Sequence, residues 1–123
     1  MPASREVYFF KSYFLEFYHE QQPDVRAKIK RNLKIVREID PIHEQFLKHI
    51  REGIYEVRVS SGRKIFRIFC CFDEGNIIVL FHGFQKKTEQ TPTREIDRAL
   101  RIQREYREAK AKGEIADLIG RAP

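Results

Sequence analysis

The chain has no apolar run approaching the roughly eighteen residues that a membrane-spanning helix needs. Its opening, MPASREVYFF, lacks the charged-then-apolar plan of a secretory signal, so the expected location is the cytoplasm. Cysteine is scarce. Cys70 and Cys71 are the only two, and on a strand they point to opposite faces, where they do not readily bridge. In a reducing compartment they read as small core residues. A serine nucleophile elbow, a phosphate-binding glycine loop and a zinc-ligand spacing are also missing. His19, His43, His49 and His82 stand at no ligand interval, so no metal and no cofactor are expected. No repeat, linker or low-complexity segment divides the 123 residues. They read as one domain, 1–112, with a short tail, 113–123, expected to fray or to await a partner.

What the chain has is a dense β-forming stretch from Gly53 to Lys87, GIYEVRVSSGRKIFRIFCCFDEGNIIVLFHGFQKK. Valine, isoleucine, phenylalanine and tyrosine favour a pleated surface, while Ser60-Ser61-Gly62 and Asp73-Glu74-Gly75-Asn76 favour breaks. The spacing predicts an antiparallel three-stranded meander. Alternation of side chains places Tyr55, Val57 and Val59 on one face of its first strand and Glu56, Arg58 and Ser60 on the other. On the second strand Phe66, Ile68, Cys70 and Phe72 form an apolar face, and Ile65, Arg67, Phe69 and Cys71 the opposite one. The third strand, Ile77 to Phe84, is apolar on both faces and so reads as central or doubly covered. With the apolar faces under helices, Arg58 and Arg67 share a face near the point where Lys86 and Lys87 emerge. That is a candidate anion site on a sheet.

Elsewhere the patterns are helical, apart from a short strand at Arg5 to Phe10. Lys11 to Gln21 carries Tyr13, Phe14, Phe17 and Tyr18 on one broad face, read as core. Pro23 suits a first helical position. From Asp24 to Glu38, Val25, Ile29, Leu33 and Val36 recur at helical spacing among Lys28, Arg31, Lys34 and Arg37. That basic flank reads equally as a phosphate-contacting face and as a solvated one. Residues 42–52 place Ile42, Phe46, Leu47 and Ile50 at helical spacing and predict one or two turns. Thr91-Pro92 marks the start of a last helix, which runs to about Lys112 with Ile96, Ala99, Leu100, Tyr106 and Ala109 on its buried face. The net charge is +6 and 41% of residues are hydrophobic, enough for a core beneath a basic surface that suits nucleic acid. His82 reads either as a hydrogen-bonded strand histidine or as a general acid or base.

The run YEVRVSSGRKIFRIFCCFDEGNIIVLFHGFQKKTEQTP, Tyr55 to Pro92, resembles the phage-derived, HigB-like branch of the RelE/ParE toxin superfamily, above all in its FRIF strand and FQKKT phrase. The resemblance extends from about Val7 to Lys110. It implies an α+β fold: N-terminal strand, two helices, antiparallel three-stranded meander, C-terminal helix. It also implies the toxin of a type II toxin–antitoxin pair, neutralised by a helix-turn-helix antitoxin. Ribonuclease members cut mRNA on translating ribosomes without a metal, letting the RNA 2′-hydroxyl attack the phosphate while cations stabilise it. By that resemblance Arg67 meets the scissile phosphate, Arg58 contacts RNA or assists, and Lys86 and Lys87 supply cations after the last strand. Arg63 and Lys64 contact the ribosome, with Lys34 and Arg37 as further RNA or ribosome contacts, and His82 stands as a reserve proton carrier. The resemblance leaves two other functions open: a gyrase-directed protein like the ParE branch, and an inert interaction module with the same fold.

Overall fold

The computed structural model describes residues 4–123, built on one six-stranded sheet with helices on both faces. The order is β1 (Glu6–Phe10), α1 (Tyr13–His19), α2 (Pro23–Glu38), β2 (Leu47–Arg51), β3 (Ile54–Ser61), β4 (Lys64–Asp73), β5 (Ile77–Lys86), α3 (Thr93–Ala111), a 3-10 turn (Ile115–Asp117) and β6 (Ile119–Arg121). This is the expected α+β class. Across the sheet the strands run β2-β3-β4-β5-β1-β6, with β1 parallel to β5 and the other pairs antiparallel. No helix among the described residues is long and apolar enough to cross a membrane.

Each sheet face buries its own core. Phe14, Phe17, Val25, Ile29, Leu33 and Val36 bring α1 and α2 onto Val57, Val59, Phe66, Ile68, Cys70 and Leu80. On the other face Ala99, Ile102 and Tyr106 bring α3 onto Ile54, Phe69, Cys71, Val79 and Phe81. Each of the Val, Leu, Ile and Phe side chains among them contributes about 1.5–3 kcal/mol on burial. Burial raises the pKa of Cys70, and that of Cys71 to about 11, so neither thiol is reactive at neutral pH.

Several local expectations are corrected. Residues 47–51, read as helical, form edge strand β2. Glu52 (φ 51°) and Gly53 (φ 80°) make the two-residue hairpin turn into β3, because positive φ at both positions matches the twist of paired strands. The i, i+4 spacing of Ile42, Phe46 and Ile50 had masked that turn. The meander therefore has four strands. The tail beyond Gly113 does not fray: Ile119–Arg121 pairs with β1, where a strand edge would otherwise be left open. Thr91 caps nothing, since Pro92 is the cap residue and the helix starts at Thr93.

One irregularity aims the site. Ile68 pairs with Gly83 and Cys70 with Leu80, so Phe69 faces both Phe81 and His82. This β-bulge reverses the alternation of β5. A regular strand would turn Phe84 and Lys86 toward α1 with Ile78 and Leu80. Instead Phe84 lies opposite Arg67, and Lys86 opposite Ile65. Gly83 completes the turn-over, because a Cβ there would come within 2.4 Å of the Phe17 ring on α1.

Candidate functional site

Cations from three strands converge where α3 leaves the sheet uncovered. Strand pairing sets Arg58 of β3 directly against Arg67 of β4, and the bulge adds Lys86 from β5. With Arg63, Lys64 and Lys87 they line an open groove of about 710 Å³. Arg63 and Lys64 are exposed on the β3–β4 turn at its rim.

Like charges directly opposed across a sheet repel. Here a carboxylate lies between them. Glu56 is 3% exposed, and its Oε2 stands 3.2 Å from Arg67 Nε and 3.5 Å from Arg58 Nε. The Arg67 contact is an ion pair misaligned for a hydrogen bond, and Glu56 Oε1 has no partner. Arg67 is 5% exposed and its Nη1 donates to the Phe66 carbonyl at 3.0 Å. Burial lowers the Arg67 pKa and Glu56 opposes that; the guanidinium stays charged throughout the physiological range. Arg58 is more open, and its own carbonyl accepts from Asn32 Nδ2 of α2 at 2.9 Å, which ties this part of β3 to the helix. Burial, then the Arg67 charge, lowers the Lys86 pKa, with Arg58 and Lys48 adding to the effect and Glu56 opposing it. Lysines depressed this way give up protons more readily.

Alternation along β3 and β4 puts Arg58 and Arg67 on one face, position just after the last strand brings in Lys86 and Lys87, and Glu56 is the residue that sequence reasoning missed. The signal was there, two positions before Arg58 on the same strand face. Lys48 was missed because its segment was read as helix; it pairs across from Glu56.

Other candidates lie elsewhere. His82 is outside the groove and 1% exposed. Burial, then Arg98 and Arg101, takes its pKa down to about 3, and its Nε2 stands 3.1 Å from Glu95 Oε1. The neutral ring donates from Nε2 to that carboxylate and so ties β5 to the first turn of α3. Lys87 is exposed between the cationic groove and a second groove beside α1. Lys34 is exposed on α2 and lines neither. Arg37 is half-buried, and its Nη2 donates to the carbonyls of Ala122 and Pro123 at 3.4 Å. The α2 cations that share a cavity with Arg58, of about 350 Å³, are instead Lys28 and Arg31. Tyr106, read as core, is core: its hydroxyl donates to buried Asp73 at 2.6 Å. Among the described residues no three His, Cys, Asp or Glu side chains gather where they could hold a metal ion.

Residues 16–104, well over half of the chain, match the family described as "Phage derived protein Gp49-like". No curated protein matches the sequence.

Proposed function

Because the chain belongs to the phage-derived Gp49-like family, a RelE/ParE-like toxin family and hence one with antitoxin partners, we propose that it is an mRNA endoribonuclease of the HigB-like kind. It acts on translating ribosomes in the cytoplasm, needs no metal of its own and is silenced by a helix-turn-helix antitoxin. The observation that carries this reading is that Arg58 and Arg67, paired to one buried carboxylate, line an open groove together with Lys86.

That arrangement suits a phosphodiester. Attack by the 2′-hydroxyl forms an O2′–P bond as its proton passes to solvent water, breaks the P–O5′ bond, and builds negative charge on the non-bridging oxygens. Fixed guanidiniums act most strongly on charge that develops in the transition state. Arg67, held by Glu56 and by the Phe66 carbonyl, cannot reorient and is the group assigned to that charge. Arg58 steers the adjoining phosphate. Lys86, with its lowered pKa, gives a proton to the departing 5′ oxygen. Glu56 is a positioning residue, because it acts through the arginines. Arg63, Lys64, Lys87 and exposed Lys34 supply the ribosome and RNA contacts through phosphate attraction.

The test is end-group analysis of mRNA cut after induction of the toxin without antitoxin. The expected ends are a 2′,3′-cyclic or 3′-phosphate and a 5′-hydroxyl, with no cutting where the nucleotide before the cut carries 2′-deoxyribose. A 5′-phosphate, or full cutting of the deoxy substrate, refutes attack by the 2′-hydroxyl. Growth arrest with intact mRNA and stalled gyrase would favour the ParE-like alternative.

A further inference from the structure

Gln85 and Lys87 border two grooves. Beyond the cationic one lies a second, of about 480 Å³, between α1, the end of β5 and the start of α3. That size falls in the range of small-ligand pockets, about 300–1,000 Å³. Its chemistry is the inverse of its neighbour's. Glu16, Glu20 and Glu95 line it against two cations, Lys87 and Arg98, on a protein whose net charge is +6. A phosphate is disfavoured there, whereas a hydrogen-bond donor is favoured.

Two further observations point to a flat, donor-bearing ligand. The wall includes His82, which is 1% exposed, has Nε2 committed to Glu95, and has a buried Nδ1 without a partner. In the neutral ring that atom is an acceptor. Partly exposed Tyr13 and Phe84 add aromatic surface, with the Arg98 guanidinium 5.8 Å from the Tyr13 ring. Aromatic and guanidinium planes are what an unstacked base packs on.

We propose that this groove seats an RNA base bearing an exocyclic amino group, from the nucleotide next to the phosphate held at Arg67. The inference rests on the ribonuclease reading of the cationic groove. Carboxylates accept from the amino groups of adenine and cytosine, while uracil offers no such donor. Continuity through Gln85 and Lys87 favours a base over a basic peptide: a strand anchored at Arg67 and Lys86 passes directly over Lys87, whereas a cationic peptide would meet Lys87 and Arg98.

The experiment titrates isotope-labelled full-length protein with short oligodeoxyadenylate, oligodeoxycytidylate and oligodeoxyuridylate, none of which has the 2′-hydroxyl needed for cutting. The adenine and cytosine oligomers should bind about tenfold more tightly than the uracil one and should move the backbone amides of Gln21, Gly83 and Glu95. The double variant Glu16→Gln, Glu20→Gln changes two exposed side chains and should erase the difference while the cationic groove still binds. Equal affinity for the three oligomers, or discrimination untouched by the double variant, overturns the proposal. So does a lysine-rich peptide that moves the same amides more strongly than any oligomer, which would point to a protein partner. Discrimination by a protein that cuts no RNA supports the base groove and removes the nuclease reading. Cutting without discrimination does the reverse.

Discussion

Arg67 and Glu56 depend on each other, and that makes the obvious mutation ambiguous. An arginine on an apolar strand invites Arg67→Ala as a clean test of catalysis. Yet Glu56 is 3% exposed, so the substitution strands a buried carboxylate beside the more open Arg58. Breaking a buried pair in this way costs about 3–5 kcal/mol. Arg67→Ala is therefore expected to lose both stability and activity. Arg67→Lys keeps the charge and should recover much of the urea midpoint, while cleavage stays about 10²–10³ below wild type for want of a fixed donor. The pair Glu56→Gln with Arg67→Met should restore stability without activity. A fully active Arg67→Lys protein would remove Arg67 from the mechanism, and an Arg67→Ala protein as stable as wild type would remove Glu56 as its structural partner.

At the scale of elements, titratable side chains at both ends of α3 reinforce its packing on the sheet. At its far end Asp73 accepts from Tyr106 at 2.6 Å and Lys110 at 2.7 Å. Burial by itself raises the Asp73 pKa, but these bonds outweigh it and hold the pKa below the ordinary value. At the near end stands His82 with Glu95. Its pKa is depressed in the fold, from 6.5 to about 3. Below pH 6.5 the unfolded chain takes up a proton that the folded one refuses, so this contribution is whole above pH 6.5 and declines as pH falls toward 3. The slope is on the order of 1 kcal/mol per pH unit. Urea melts from pH 7 to pH 4 should show that decline, and His82→Asn should flatten it; an equally steep curve in the variant would remove His82 as the cause. The tail gives the third prediction. Truncation after Lys112 removes β6 and bares β1, so the shortened protein should melt lower and self-associate, as seen by light scattering. An unchanged melting temperature would show β6 to be dispensable.

Over the whole molecule, the net charge of +6 is unevenly placed. Arg58, Arg63, Lys64, Arg67, Lys86 and Lys87 gather in one groove, while its neighbour is lined by carboxylates. Binding of an uncleavable oligonucleotide should weaken with salt, with a log–log slope of about −0.7 for each phosphate neutralised on a single strand. Arg63→Ala or Lys64→Ala should each reduce that slope by about one phosphate contact. Arg37→Ala should leave it alone, because that guanidinium is turned to the C-terminal carbonyls. A slope insensitive to Arg63 and Lys64 would place the nucleic acid on another face.

The sequence by itself determined the α+β class, the long helices and the shared sheet face of Arg58 and Arg67. These follow from short-range regularities: apolar residues at helical spacing from Val25 to Val36, alternation along Tyr55 to Phe72, and turn residues between strands. The FRIF and FQKKT phrases pointed to RelE/ParE-like toxins, the wider group of the Gp49-like family that residues 16–104 match. Tertiary structure decided the rest, because each missing feature joins residues that no local pattern connects. Edge strand β2 exists because Leu47–Arg51 finds β3 as a partner, and β6 because β1 leaves an open edge. The bulge at Phe69 arises only between two strands, and it alone carries Lys86 to the face of Arg67. Alternation places Glu56 on the face of Arg58 and no more; the cations gathered from three strands make it the buried counter-charge of the site.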